Sequence, residues 1–411
     1  MPEDVFGTLE QLLESENPSK SFDFLIGQFR VAKDYHAVFE ARLMRKRLEL
    51  KLPLFLTDDL SALPSEVRDA YSAAVTEAAR YVGELFLSDG EIAQAWRYLR
   101  ATGDSARVAD AIEKVEAGDG VNRIIEIAFQ EGVHPAKGLE LIVAKYGICQ
   151  ALSAFEVSTV EKDREKCIAV LARTLHTEVV ERLSGAIEQE EGSRPVATSI
   201  AELIGGRDWL FGEYSTYVDT SHVVSLLQHC PEVTDAGVLG TFHDLCEYGK
   251  RLSPQFRLPG QPPFEDVYID CDHYVQALLG IDVESHLAHF RRKVAEAKAE
   301  AGSLPAQSLV RLLARLARYE EALEVALAHF PHARSTDLVC PPATELCYLA
   351  RRFDGLKELA RERGDQLSYA AASLEARTLR VVGEGPRYDP DHAATPAKNT
   401  AGAFIYLRGE S

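Results

Sequence analysis

The sequence of 411 residues lacks the short motifs that identify a reaction or a location. It contains no run of about 18 apolar residues, so we expect no transmembrane helix and no membrane contact. Its beginning carries Glu3 and Asp4 and has neither a basic segment nor an apolar core, so we predict no secretory signal. Glycine-rich phosphate-binding motifs, the G-x-S-x-G nucleophile elbow and the H-E-x-x-H zinc motif are all absent. No motif therefore names a reaction.

Positive charge is also scarce, since 64 acidic residues outnumber 45 basic ones and give a formal net charge of −19. A field of this sign repels phosphate backbones, so we expect no nucleic-acid binding. The seven cysteines are odd in number, irregularly spaced and without a C-x-x-C pair, which favours reduced thiols over a disulfide framework. Together with the missing signal, this predicts a cytoplasmic protein. The sequence gives no oligomeric state.

Helical periodicity dominates the chain. Apolar residues recur at the spacing of one helix face, as in Phe22, Leu25, Ile26 and Phe29. No segment shows the sustained alternation of apolar and polar residues that is typical of a half-buried strand. We therefore predict an all-α fold of roughly a dozen and a half helices, many of them paired by short polar turns into αα-hairpins.

The segment Tyr81–Asp104 resembles a tetratricopeptide repeat (TPR), a helical hairpin of about 34 residues. Gly83 stands where that family has the glycine of its Leu-Gly pair, and Gly90 stands at its turn. Gly83 and Ala95 are the small residues that let two helices approach closely. Three further segments resemble the repeat: Leu309–Phe330, Phe22–Arg45 and Thr344–Arg363. The resemblance implies stacked hairpins in a superhelix, or α-solenoid, whose concave face binds a protein or peptide.

These segments divide the chain into four parts. Residues 1–117 and 304–380 are predicted to form TPR-like hairpins, and residues 118–303 a central helical region without the repeat period. The central region includes a proline-rich loop at 250–272. Residues 381–411 are predicted to form an irregular, non-helical tail, whose apolar end Ala403–Leu407 we expect to dock on the body; a disordered tail is the alternative. Residues 33–54 and 207–222 also resemble helical proteins of bacteria, and this resemblance implies no function.

Histidines are concentrated in the central region, where eight of the twelve lie between residues 134 and 289. Several have a carboxylate three or four residues away, which places both side chains on one helix face. Imidazole and carboxylate groups suit Zn, Fe or Mn. The candidate metal ligands are His222, His243, His273 and His134, and the candidate catalytic carboxylates are Glu247 and Asp219. For each pair, a surface ion pair or a hydrogen-bonded histidine is the alternative.

Two functions remain open at this point. The first is a helical-repeat scaffold that binds a protein or peptide partner. A basic patch could contribute to such binding, or could be an ordinary solvated helix face; its residues are Arg42, Arg45, Lys46 and Arg47. The second is a metal-dependent enzyme of the hydrolase or lyase type, in which a metal-activated water or a general base acts in the central region.

Overall fold

The computed structural model describes residues 5–15, 17–55, 63–197 and 199–382. Within these ranges the chain is mostly helical, with 20 α-helices and one two-stranded hairpin, so the all-α prediction is confirmed. No helix in the same ranges is long and apolar enough to cross a bilayer. The predicted docking of Ala403–Leu407 concerns residues outside the described ranges.

The chain divides into two compact units, Met1–Cys167 and Ile168–Ser411. The division falls inside the range 118–303 that the sequence predicts as one central region, and the limits of that region stay a prediction. The helices of the first unit are α1 (Val5–Leu13), α2 (Ser19–Val31), α3 (Tyr35–Glu49), α4 (Ser65–Ser88), α5 (Ile92–Leu99), α6 (Ala106–Ile112), α7 (Asn122–Ile125), α8 (Pro135–Tyr146) and α9 (Ile148–Val157). A π-helical turn, Glu126–Gln130, follows α7.

Helix α10 (Arg164–Glu191) begins at the end of the first unit and belongs mainly to the second. The second unit continues with α11 (Ile200–Ile204), α12 (Thr220–Leu227), α13 (Ala236–Arg251), β1 (Pro259–Gln261), β2 (Phe264–Asp266), α14 (Val267–Leu278), α15 (Val283–Glu296), α16 (Leu304–Arg315), α17 (Tyr319–His329), α18 (Ala343–Leu349), α19 (Phe353–Arg363) and α20 (Gln366–Val382). From α13 to α20, each helix packs against the next one in the chain.

The proline-rich segment is shorter as a loop than the sequence predicts. Strands β1 and β2 pair antiparallel within it, and α14 already begins at Val267. The side chain of Asp266 accepts hydrogen bonds from the backbone N–H groups of Tyr268 and Ile269. This N-cap starts the helix early, because it satisfies N–H groups that have no partner within the first turn. The predicted loop at 250–272 is therefore corrected: its last six residues, 267–272, are helical.

Four pairs of helices share one linker geometry: α2–α3, α4–α5, α16–α17 and α18–α19. Each linker has three residues, and its middle residue has a positive φ; these middle residues are Lys33, Gly90, Ala317 and Arg351. The following N–H bonds to the carbonyl five residues earlier, as from Asp34 to Phe29 at 2.9 Å. This bond is typical of a Schellman C-cap. The four hairpins coincide with the four segments that resemble the TPR.

Gly83 sets the distance between α4 and α5. A Cβ atom at this position would lie 2.5 Å from Cγ of Leu99, a separation that real side chains do not reach. Ala95 on α5 and Val82 on α4 are fully buried in the core of the first unit. The contact therefore depends on small residues, as the sequence predicts for Gly83.

Candidate functional site

Buried carboxylates and imidazoles are concentrated in one part of the second unit. Among the described residues, the buried acidic groups and histidines are Asp270, Asp272, His229, His286 and His289. All lie between residues 229 and 289, and four of them are on α14 and α15. A charge is costly to bury unless it is paired and hydrogen-bonded. Hydrophobic packing alone gives no reason for such residues, so helix α14 and its neighbours form the candidate site.

Asp272 lies on the side of α14 that faces α13. Its Oδ1 is 2.6 Å from Nδ1 of His243, and its Oδ2 is 3.0 Å from Nζ of Lys250. Gln276, one turn further along α14, donates to the same Oδ2 at 2.6 Å. Lys250 also pairs with Glu247. Residues 243, 247 and 250 are spaced by four and three, so one face of α13 brings all three side chains to Asp272.

These contacts shift the pKa values on this side of α14. The hydrogen bond with Asp272 raises the pKa of His243, against the lowering effect of burial. Burial by itself would raise the pKa of Asp272, but hydrogen bonds from His243 and Lys250 outweigh it and hold the pKa below its usual range. Asp272 is therefore ionised at neutral pH. It accepts the Nδ1–H proton of His243 and leaves Nε2 of that one-third-exposed imidazole available as a base.

His243, Glu247 and Asp272 also have the geometry of a metal site. Each offers one ligand atom, and the three atoms lie within 4.8 Å of one another. One imidazole nitrogen with two carboxylate oxygens suits Zn, Fe or Mn. The ammonium group of Lys250 contacts both carboxylates, so a divalent cation would compete with it for the same oxygens.

Asp270 lies on the side of α14 that faces α15. Its Oδ1 is 2.7 Å from Nε2 of His289 and 3.3 Å from Nζ of Lys293. Its Oδ2 is buried and has no hydrogen-bond partner. An unsatisfied buried oxygen costs about 1–3 kcal/mol. Helix α14 thus holds two buried carboxylates that are satisfied to different degrees.

Three histidines pack together beside Asp270. The rings of His273 and His289 are stacked, with centroids 3.9 Å apart and planes inclined by 16°. Nδ1 of His273 is 2.7 Å from Nδ1 of His286, so one nitrogen donates and the other accepts. Burial, followed by the neighbouring imidazoles, lowers the pKa of His273 to about 4, and burial also lowers the pKa of His286. These two rings are therefore neutral at pH 7.

The structure brings together two of the six residues predicted for the site, His243 and Glu247. His273 follows Asp272 on α14 but belongs to the histidine stack. Asp219 caps α12 by accepting from the N–H of Ser221 at 2.9 Å, and His222 is half-buried on the same helix. His134 belongs to the first unit, where its Nε2 is 2.8 Å from Glu113. Metal binding by any of these histidines stays a prediction.

Asp272 and Lys250 are the residues that the sequence interpretation missed. They are 22 residues apart and meet only because α13 packs against α14. One signal was available: two aspartates, Asp270 and Asp272, interrupt an otherwise apolar helix with the sequence VYIDCDHYV. Charged residues on an apolar helix face indicate a buried polar contact.

The predicted basic patch on α3 makes its contacts inside the first unit. Arg42 and Arg45 pair with Glu77 and Asp23, at 2.8 and 2.5 Å. Lys46 pairs with Glu49 on its own helix at 3.2 Å. Arg47 donates to the hydroxyl of Tyr71 at 2.8 Å and to a backbone carbonyl. These cations are already engaged within the fold, and a role in binding a partner stays a prediction.

A groove of about 730 Å³ lies between α17, α18 and α19. Its apolar lining consists mainly of Leu323, Leu327, Cys347, Phe353 and Leu359. Leu327 is 41% exposed and is therefore accessible to a binding partner. Exposed charges of both signs border the groove; they are Arg351, Arg352, Glu358 and Glu362.

No model of a protein family, no curated protein and no solved structure matches this chain. Its function is therefore inferred from its own residues and geometry.

Proposed function

We propose that this protein is a helical-repeat scaffold that binds a protein or peptide partner. The observation that carries the proposal is the recurrence of one hairpin geometry at all four segments that resemble the TPR. The positive-φ residues Ala317 and Arg351 are 34 positions apart (351 − 317 = 34), which is the length of that repeat. Helices α16 to α20 also pack in chain order, as the hairpins of a repeat protein do.

The partner's site that we propose is the groove between α17, α18 and α19. The apolar residues that line this groove can receive one apolar side chain of a peptide. Such buried anchor side chains supply most of the affinity in peptide recognition. Arg351 and Arg352 directly precede α19, and Glu358 and Glu362 lie about two and three turns further along the chain. We therefore expect a peptide with one apolar anchor, an acidic group on the arginine side and a basic group on the glutamate side.

Panning a library of random 12-residue peptides displayed on phage against the full chain tests this proposal. We expect an enriched sequence with the pattern above. A synthetic peptide of that sequence should bind the variants Leu327→Glu and Glu358→Lys about tenfold or more weakly than it binds the unmodified chain. The matched control is Val157→Glu, because Val157 is 83% exposed and lies in the first unit. Failure to enrich a sequence, or equal affinity for Leu327→Glu and the unmodified chain, would overturn the proposal.

A second function, a metal-dependent hydrolase or lyase, is favoured by the convergence of His243, Glu247 and Asp272. In that function the three side chains hold a divalent ion that supplies an activated water. Calorimetric titration with Zn²⁺ tests it sharply, because Lys250→Gln removes the competing ammonium group. We expect this variant to bind one Zn²⁺ about tenfold more tightly than the unmodified chain.

The matched control for that titration is Lys293→Gln. Lys293 contacts Asp270 on the other side of α14, so its loss should leave the Zn²⁺ affinity unchanged. His243→Ala should abolish the binding. The metal site is contradicted if Lys250→Gln and His243→Ala bind Zn²⁺ equally, or if neither the unmodified chain nor Lys250→Gln binds it.

A further inference from the structure

Helix α20 has an apolar face that is exposed. Leu367 and Leu374 are 82% and 66% exposed, and because they are seven residues apart they lie on the same side of the helix. Ala370 and Ala371, which are also exposed, lie between them. On the opposite side, Ala372 is buried and α20 packs against α19. The face of α20 directed away from α19 thus presents leucine and alanine side chains to solvent.

This face is unusual for the end of a helical stack. Each of α16 to α19 packs against the helix before it and the helix after it. Helix α20 is the last described helix, so along the chain it packs only against α19. The last helix of a stack normally has a polar outer face that keeps the protein soluble. The exposed leucines of α20 therefore offer an apolar surface for a further contact.

The sequence that follows α20 contains one segment of suitable chemistry. The chain continues for 29 residues beyond Val382 (411 − 382 = 29). Residues 383–402 are dominated by Gly, Pro, Ala and polar residues, whereas Ala403–Leu407 reads Ala-Phe-Ile-Tyr-Leu. The 20 intervening residues reach at most about 66 Å when extended, and α20 is about 26 Å long. The segment can therefore reach every part of the exposed face.

We propose that Ala403–Leu407 binds the face of α20 formed by Leu367 and Leu374, so that the chain covers the end of its own helical stack. A segment tethered through 20 residues has an effective concentration in the millimolar range. This favours the chain's own segment over a second copy at the micromolar concentrations of ordinary experiments.

Hydrogen–deuterium exchange of the full chain, read by mass spectrometry over α20, tests the proposal. Replacing Phe404, Ile405 and Leu407 by Ser should speed amide exchange in α20 by about tenfold or more, because the helix loses its cover. The double variant Leu367→Glu/Leu374→Glu should speed exchange in α20 as well, since it removes the other half of the contact. The matched control, Tyr388→Ser, changes an aromatic residue in the connecting segment and should leave the exchange unchanged.

Light scattering on the same samples shows whether a second copy of the chain, instead of the chain's own segment, covers this face. We expect a mass that does not depend on concentration for the unmodified chain and for the triple serine variant. Unchanged exchange in α20 of the triple serine variant would overturn the proposal. So would a dimer that disappears in Leu367→Glu/Leu374→Glu, because a second copy would then cover the face. The phage-panning result depends on the groove of α17–α19, so the two proposals fail independently.

Discussion

The hairpin helices and the helices α13–α15 bury different kinds of side chain. Between α4 and α5 the contact is apolar, with Val82, Ala95 and Leu99 fully buried. Between α13, α14 and α15 it includes the carboxylates of Asp270 and Asp272. Apolar contacts need only matching size and shape, whereas a buried ion must be paired to offset its desolvation. Apolar packing alone therefore accounts for the contact between α4 and α5, while α13–α15 retain groups that packing does not require.

Removing the carboxylate at Asp272 should give the largest effect and test this contrast directly. In Asp272→Asn, the side chains of His243 and Lys250 lose the buried carboxylate that pairs with them. We expect a loss of about 3 kcal/mol in the free energy of unfolding, the lower end of the cost of breaking a buried ion pair, because Lys250 keeps its contact with Glu247. Urea unfolding followed by circular dichroism measures it.

The control for this variant is Asp208→Asn. Asp208 pairs with one cation, Arg251, but its side chain is almost completely exposed. Exposed ion pairs contribute about 0–1 kcal/mol. If the two variants lose the same amount of stability, the α13–α14 contact is no different from a surface ion pair.

The two sides of α14 should respond to pH in opposite directions. Because the folded-state pKa of His273 is lowered from 6.5 to about 4, the folded protein binds fewer protons there than the unfolded chain. Its contribution to stability is complete above pH 6.5 and is lost as the pH falls toward 4. The pKa of His243 is raised, so its contribution is complete below pH 6.5 and is lost as the pH rises through the folded-state pKa.

Two variants separate these contributions. His273→Phe should reduce the stability loss between pH 6.5 and 4 by about 1–2 kcal/mol, a value discounted because the ring is only partly buried. His243→Gln should remove a smaller loss in the free energy of unfolding, one that occurs as the pH rises above 6.5. Urea unfolding at a series of pH values measures both. Identical pH profiles for His273→Phe and the unmodified chain would mean that the histidine stack does not resist protonation.

Gly83 provides the corresponding test in the hairpins. Gly83→Ala places a Cβ against Leu99, and we expect a net loss of about 1–2 kcal/mol from overpacking, partly offset by better helix propensity. In a Leu99→Ala background the space is free, so the same substitution should stabilise the chain by up to about 1 kcal/mol. A thermodynamic cycle of the four proteins measures this change of sign. Without it, Gly83 has no special role in the contact.

Local pattern explains what the sequence could predict. Apolar spacing such as Phe22, Leu25 and Ile26 determines which face of a helix is buried, and it was sufficient for the all-α class. The small side chain at Gly83 predicted a close approach, because contact with Leu99 depends on size alone. Both signals lie within about one hairpin. The superhelical arrangement depends on how successive hairpins pack and stays a proposal.

The candidate site depended on contacts that local pattern does not contain. Spacing placed His243 and Glu247 on one helix face, but nothing in it paired them with Asp272, which comes from another helix. The proline-rich segment is shorter as a loop than its composition predicts, because Asp266 caps α14 and the helix begins at Val267. Asp272 therefore lies inside a buried helix and not at the end of the predicted loop.

The hairpin linkers should give the smallest effect and still distinguish one hairpin from another. All four place their middle residue at positive φ, but only Gly90 adopts that conformation without strain. Gly90→Ala should therefore lower the free energy of unfolding by about 1 kcal/mol. Ala317→Gly should raise it by about 0.5 kcal/mol, because relief of strain at φ 55° exceeds the added chain entropy of glycine. Thermal unfolding resolves the opposite signs, and a loss of stability in both variants would mean that the linkers are not equivalent.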